Sequence, residues 1–132
     1  MSDVADDEVL HRRIHPLQVR PDGSPCSAAF TDPEMSVDRA RYRQVEETLN
    51  GHSGYGAAGL IAGFVRSLSQ EVRAVPELLN KGHALVVGKK SKSTRRKLAS
   101  AATWVIRPRM VGQGLPDAED EVPEKDAEGA PD

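Results

Sequence analysis

Six of the nine residues from Lys89 to Lys97 are Lys or Arg, and they follow the most hydrophobic short run of the chain, Ala84-Leu-Val-Val87, and Gly88. A glycine lets backbone approach a phosphate, and a helix start presents free N–H groups with partial positive charge. Lys89, Lys90, Lys92, Arg95 and Arg96 add cationic charge, while Ser91, Ser93 and Thr94 can cap the helix or donate to an anion. The segment Gly88–Lys97 is therefore an expected anion-binding element. It lacks the spacing of a nucleotide-triphosphate loop, and no cofactor is expected from it. The bland alternative is a solvated basic helix start.

A second group is His11-Arg-Arg-Ile-His15. On a strand, His11, Arg13 and His15 share one face. Two imidazoles as acid and base, with an arginine on the anion, suit phosphodiester chemistry. A metal site is not expected, because no third ligand has suitable spacing. His83 precedes the apolar run, so a four-residue strand would hold it roughly 15 Å or more from Lys89. His52 lies in a glycine-rich loop. Ser27 and Cys26 offer a hydroxyl and a thiol without a nucleophile-elbow signature.

These groups need elements to position them. The 132 residues fit a single domain. The mean hydropathy of -0.51 and the acid-rich ends point to unstructured tails, 1–8 and 111–132, around a body of residues 9–110. The formal net charge of -2 conceals segregation, since residues 11–110 carry 17 bases and 8 acids, a net +9. A basic body with acidic ends suggests a polyanion partner, or tails that fold back on the body. The single cysteine excludes an internal disulfide and fits a reducing cytoplasm. No apolar run is long enough to span a bilayer, so no membrane partner is expected.

Leu10–Ile14 reads as a strand, and Cys26–Phe30 as an extended piece with Phe30 in the core. Asp32-Pro33-Glu34 reads as a helix start, with Tyr42, Val45 and Leu49 on one face and Asn50-Gly51 as the stop. Ala57, Leu60, Ile61, Phe64, Val65 and Leu68 predict a core helix, in which Gly59 and Gly63 mark close packing. Strands are expected near Val72–Val75 and at Ala84–Val87, and a helix from Ser93 to Ala102. Thr103–Ile106 suits a last strand, although Thr94, Leu98, Ala101 and Val105 also fit a continued helix. The sum is a small α+β domain with about three helices and three to five short strands.

Three function classes follow. The first is a binding domain that contacts nucleic acid or a phosphorylated ligand through Gly88–Lys97, helped by Arg12, Arg13 and Arg20. The second is a small enzyme acting on RNA or NAD, of toxin or defence type, with Arg13, His15, Ser27 and His83 as catalytic candidates. For this class, an arginine on an early strand, the serine-containing Cys26-Ser-Ala-Ala-Phe30 segment and a later acid loosely resemble ADP-ribosyltransferase-like toxins. The third is a protein-interaction partner without chemistry of its own.

Overall fold

A computed structural model describes residues 3–109. The expected acidic tail, 111–132, lies outside them. The domain is α+β: one antiparallel six-stranded sheet with its helices interleaved along the chain. The strands are β1 (Val9–Ile14), β2 (Glu34–Arg39), β3 (Gly56–Ile61), β4 (Glu71–Ala74), β5 (His83–Val87) and β6 (Thr103–Ile106), in the order β4-β5-β2-β1-β3-β6. The helices are α1 (Val45–Thr48), α2 (Ala62–Ser67) and α3 (Lys92–Ala101), with a single 3-10 turn at Ser27–Phe30.

Strand register sorts the side chains. Leu10, Met35, Val37, Ala58, Leu60, Val86 and Ala84 point to one face and are buried with Phe30, Val65 and Leu98. That face is the core, closed by the 3-10 turn, α2 and α3. On the opposite face, His11 of β1 lies across from Asp38 of β2, and Asp38 lies across from His83 of β5. Period-two alternation puts polar residues there while the apolar set stays inside.

The strands near Leu10–Ile14, Val72–Val75, Ala84–Val87 and Thr103–Ile106 and the helix at Ser93–Ala102 are present, within a residue or two. Three segments differ. The helix expected from Asp32 is strand β2 followed only by the four-residue α1. Glu-Met-Ser-Val alternates polar and apolar residues, and its apolar members fill the core. The Pro33 carbonyl accepts from the Gly88 N–H at 2.9 Å, tying the start of β2 to the end of β5. The helix expected from Ala57 is strand β3 followed by α2. Small residues bury β3 on both faces between β1 and β6, and such a run carries no period that separates it from a helix. Gly59 and Gly63 do serve close packing: a Cβ would stand 3.2 Å from Val9 Cγ1 and 3.1 Å from Asp6 Cβ respectively. Phe30 is buried as expected, but in a 3-10 turn rather than an extended piece.

The acidic amino-terminal residues are a correction as well. Residues 3–8 pack on the domain rather than hanging free: Val4 is 3% exposed, and Asp6 pairs with Arg66 at 2.6 Å. The Gly63 N–H donates to the Asp6 carbonyl at 2.7 Å, and Glu8 is buried against Arg39. The reason is charge pairing. Of the four acids that look solvating in the sequence, Glu8 pairs with Arg39 of β2 and Asp6 with Arg66 of α2. With them included, the described residues carry 17 bases and 12 acids, a net +5.

Candidate functional site

The basic segment does fold as strand, glycine and helix, but its residues divide into two sets. Gly88 has φ +153, which favours glycine, and a Cβ there would meet Gln70 Oε1 at 2.7 Å. Its role is the turn between β5 and α3. Lys90 points inward: Nζ donates to the Val86 and Gly88 carbonyls at 3.0 Å each and to the Pro33 carbonyl at 3.4 Å. Burial pushes this ammonium down from its ordinary range. Lys90 is therefore a clasp between β2 and β5, not a point charge for a ligand. Ser91 is the helix cap, its Oγ accepting from the Thr94 N–H at 3.2 Å. Its hydroxyl also donates to Thr94 Oγ1 at 3.3 Å, so both side chains already serve the helix start. Arg95 is half-buried, with Nε enclosed and without a hydrogen-bond partner.

The second set faces out. Lys89, Ser93, Arg96, Lys97 and Ser100 are exposed, and within α3 the last four follow at steps of three, one and three along a single stripe. Lys92 is half-buried at the first helical position. The helix contains no acid. Below this stripe runs a groove of about 520 Å³ between α3 and residues 20–27. Arg20, Ser24, Ser27, Arg96, Ser100 and Trp104 line it. The loop is held in place by Trp104, whose Nε1–H donates to the Gly23 carbonyl at 2.8 Å, with the Arg107 guanidinium stacked over the ring. Asp22 is the one acid on the groove. Its carboxylate accepts from the Ser24 hydroxyl and N–H at 2.6 and 3.0 Å, which holds it below its ordinary range.

The early arginines and histidines do not join this groove. Arg12 is structural: β1 and β2 pair only at Leu10–Arg39 and His11–Asp38, and past that point its guanidinium bridges the gap. It donates to the Ala29 and Ser36 carbonyls at 3.0 Å each and pairs with Asp32 at 3.4 Å. Burial lowers its pKa, with Asp32 opposing. Arg13 is exposed and donates to the Thr48 carbonyl at 3.3 Å. His15 lies past the end of β1, where its Nδ1 accepts from the Leu17 N–H at 2.9 Å and its ring meets the edge of Tyr55. His52 also packs edge-on against Tyr55.

His83 sits at the start of β5 on the open face, with Ser36 Oγ 2.8 Å from its Nε2. Ser27 is on the core side, so Arg13, His15, Ser27 and His83 form no common cleft. His11, named in the sequence with His15 as an acid–base pair, lies instead on the open face beside β2. It is 8% exposed, with Nδ1 enclosed and unpaired, beside Asp38, whose carboxylate accepts from Thr48 and Asn80 at 2.7 and 2.8 Å. Burial holds the His11 pKa down, and Asp38 partly offsets this. Only strand pairing places these groups together. Among the described residues, no group of three or more His, Cys, Asp or Glu can hold a metal ion, and no helix is long and apolar enough to cross a membrane.

Comparison with family models, with curated proteins and with solved structures gives no match for this chain.

Proposed function

We propose that the chain is a binding module for a phosphate-rich polyanion, nucleic acid in the first place, engaged through the outer stripe of α3 and the groove beneath it. One observation carries this reading. Arg20 and Arg96, remote in sequence, line one groove with the hydroxyls of Ser27 and Ser100. Guanidinium and hydroxyl donors are the groups that contact phosphate oxygens. A second observation points the same way. Cations in the first turn of a helix oppose its macrodipole, at about 0.3–1 kcal/mol each, and a bound anion would reverse that cost. The described residues supply few aromatic faces for base stacking, so backbone contact rather than sequence readout is the expected mode. The free, buried Cys26 accompanies a cytoplasmic setting.

The test is a salt titration of the full chain with a fluorescent oligonucleotide and, in parallel, a mononucleotide. Binding that weakens linearly in log–log form with salt supports the reading. An Arg20→Ala/Arg96→Ala double variant should flatten that slope by about 2, one per lost phosphate contact. Equal affinity for the mononucleotide would shift the reading to a phosphorylated small ligand. Absence of binding at low salt would end it.

A further inference from the structure

Ser36 and His83 meet on the sheet face opposite the groove, and their hydrogen bonds fix the roles of the imidazole nitrogens. His83 Nδ1 lies 3.2 Å from the Val75 carbonyl oxygen. A carbonyl can only accept, so Nδ1 carries the proton and Nε2 presents a lone pair. That lone pair is 2.8 Å from Ser36 Oγ, so the serine hydroxyl donates to it. The Glu77 carboxylate lies 3.5 Å from the same Nδ1. The serine is exposed, while the imidazole is mostly buried and held between two strands. Its backbone is fixed as well, since Arg12 donates to the Ser36 carbonyl at 3.0 Å. A hydroxyl on an accessible face, a base within hydrogen-bond reach and a third group orienting that base are the parts of an activated nucleophile.

We propose that Ser36 is a nucleophile with His83 as its general base, accepting the acyl group of an ester with an aliphatic acyl chain. The turn that carries Glu77 also presents Leu78 and Leu79, 91% and 90% exposed, and Leu85 lies across from Ser36 on β5. Leu85 opposite Ser36, with the exposed Leu78 and Leu79 that follow Glu77 in the chain, is what favours an aliphatic acyl group. In the first step Oγ bonds to the acyl carbon as its proton passes to Nε2. The ester C–O bond breaks, and the alcohol leaves with that proton. Water then adds to the acyl carbon, giving its proton to Nε2, and Ser36 departs protonated as the acid is released. No redox partner is needed. The site lies apart from Arg20 and Arg96, so it stands or falls separately from polyanion binding.

The experiment is labelling of the full chain with an alkyl fluorophosphonate, in which Oγ attacks phosphorus and fluoride leaves, read by intact and peptide mass spectrometry. A single adduct on the Ser36 peptide is expected, with none in Ser36→Ala, whose exposed hydroxyl can be removed without disturbing the core. His83→Gln should label about 100-fold more slowly or less, the size of a general-base contribution. Hydrolysis of p-nitrophenyl butyrate should fall in the same order. An adduct elsewhere, no adduct, or undiminished labelling of His83→Gln would overturn the assignment.

Discussion

Arg39 is 0% exposed and charged, and Glu8 accepts from its guanidinium at 2.6 and 2.8 Å. The hydrogen bond from Arg39 holds the Glu8 carboxyl below its ordinary range, and Glu8 raises the Arg39 pKa in return. Removing one partner of such a pair leaves the other charge buried. Glu8→Gln is therefore expected to lose about 3–5 kcal/mol in urea unfolding. The sign with pH follows from the depressed carboxyl. Its stabilisation is complete above the unfolded carboxylate pKa, near 4.3, and is lost as pH falls through the lower folded value. His11 acts earlier. Its folded pKa lies below the unfolded value near 6.5, so the unfolded chain takes up the proton first and stability declines as pH drops below about 6.5. His11→Leu should flatten that part of a stability–pH curve. Lys90 and Lys89 separate structure from binding. Lys90→Met strands backbone carbonyls and is expected to cost about 1–3 kcal/mol. Lys89→Ala should leave stability unchanged and weaken only oligonucleotide binding, measured on the same preparations.

Elements show where local sequence signals stopped being sufficient. The α3 helix was legible because Ser91 sits at the cap and Leu98 at its core-facing position, both of which act within the helix or on its nearest layer. β5 was legible as an apolar run between a glycine and a histidine. β2 and β3 were not. The Asp32-Pro33 helix-start signal and the spacing of Tyr42, Val45 and Leu49 are real local preferences. Pairing of Met35 with Val86 and Val37 with Ala84 outweighs them. In β3 the deciding contacts are backbone to backbone. A Cβ on Gly56 would stand 2.5 Å from both the Ile106 carbonyl oxygen and the Pro108 nitrogen. Neither atom belongs to a flexible side chain. Gly56→Ala should therefore cost about 1–3 kcal/mol from overpacking and loosen β6, seen as faster amide exchange at Thr103–Ile106.

At the scale of the molecule, the sheet divides two chemistries. One side has the basic stripe of α3 and its groove, and the other has the Ser36–His83 pair and the enclosed His11–Asp38 pair. The amino-terminal acids join this architecture instead of screening it. Deleting residues 1–8 is expected to destabilise the domain by at least the roughly 3–5 kcal/mol of a broken buried ion pair, checked by chemical unfolding of the shortened chain. An unstructured end would produce no such loss.

The sequence by itself determined the fold class, several of the strands, the helix that follows Gly88 and the basic character of its surface. These rest on hydrophobic period, capping residues and charge composition, which act over a few neighbours. Tertiary structure decided the rest. It turned Lys90 inward, brought Arg20 to Arg96 and set Ser36 against His83. It also placed His11 beside Asp38 and tied the acidic start to Arg39 and Arg66. Each of these is a meeting of residues far apart in the chain, fixed by strand order and register, and no local pattern encodes the register of a six-stranded sheet.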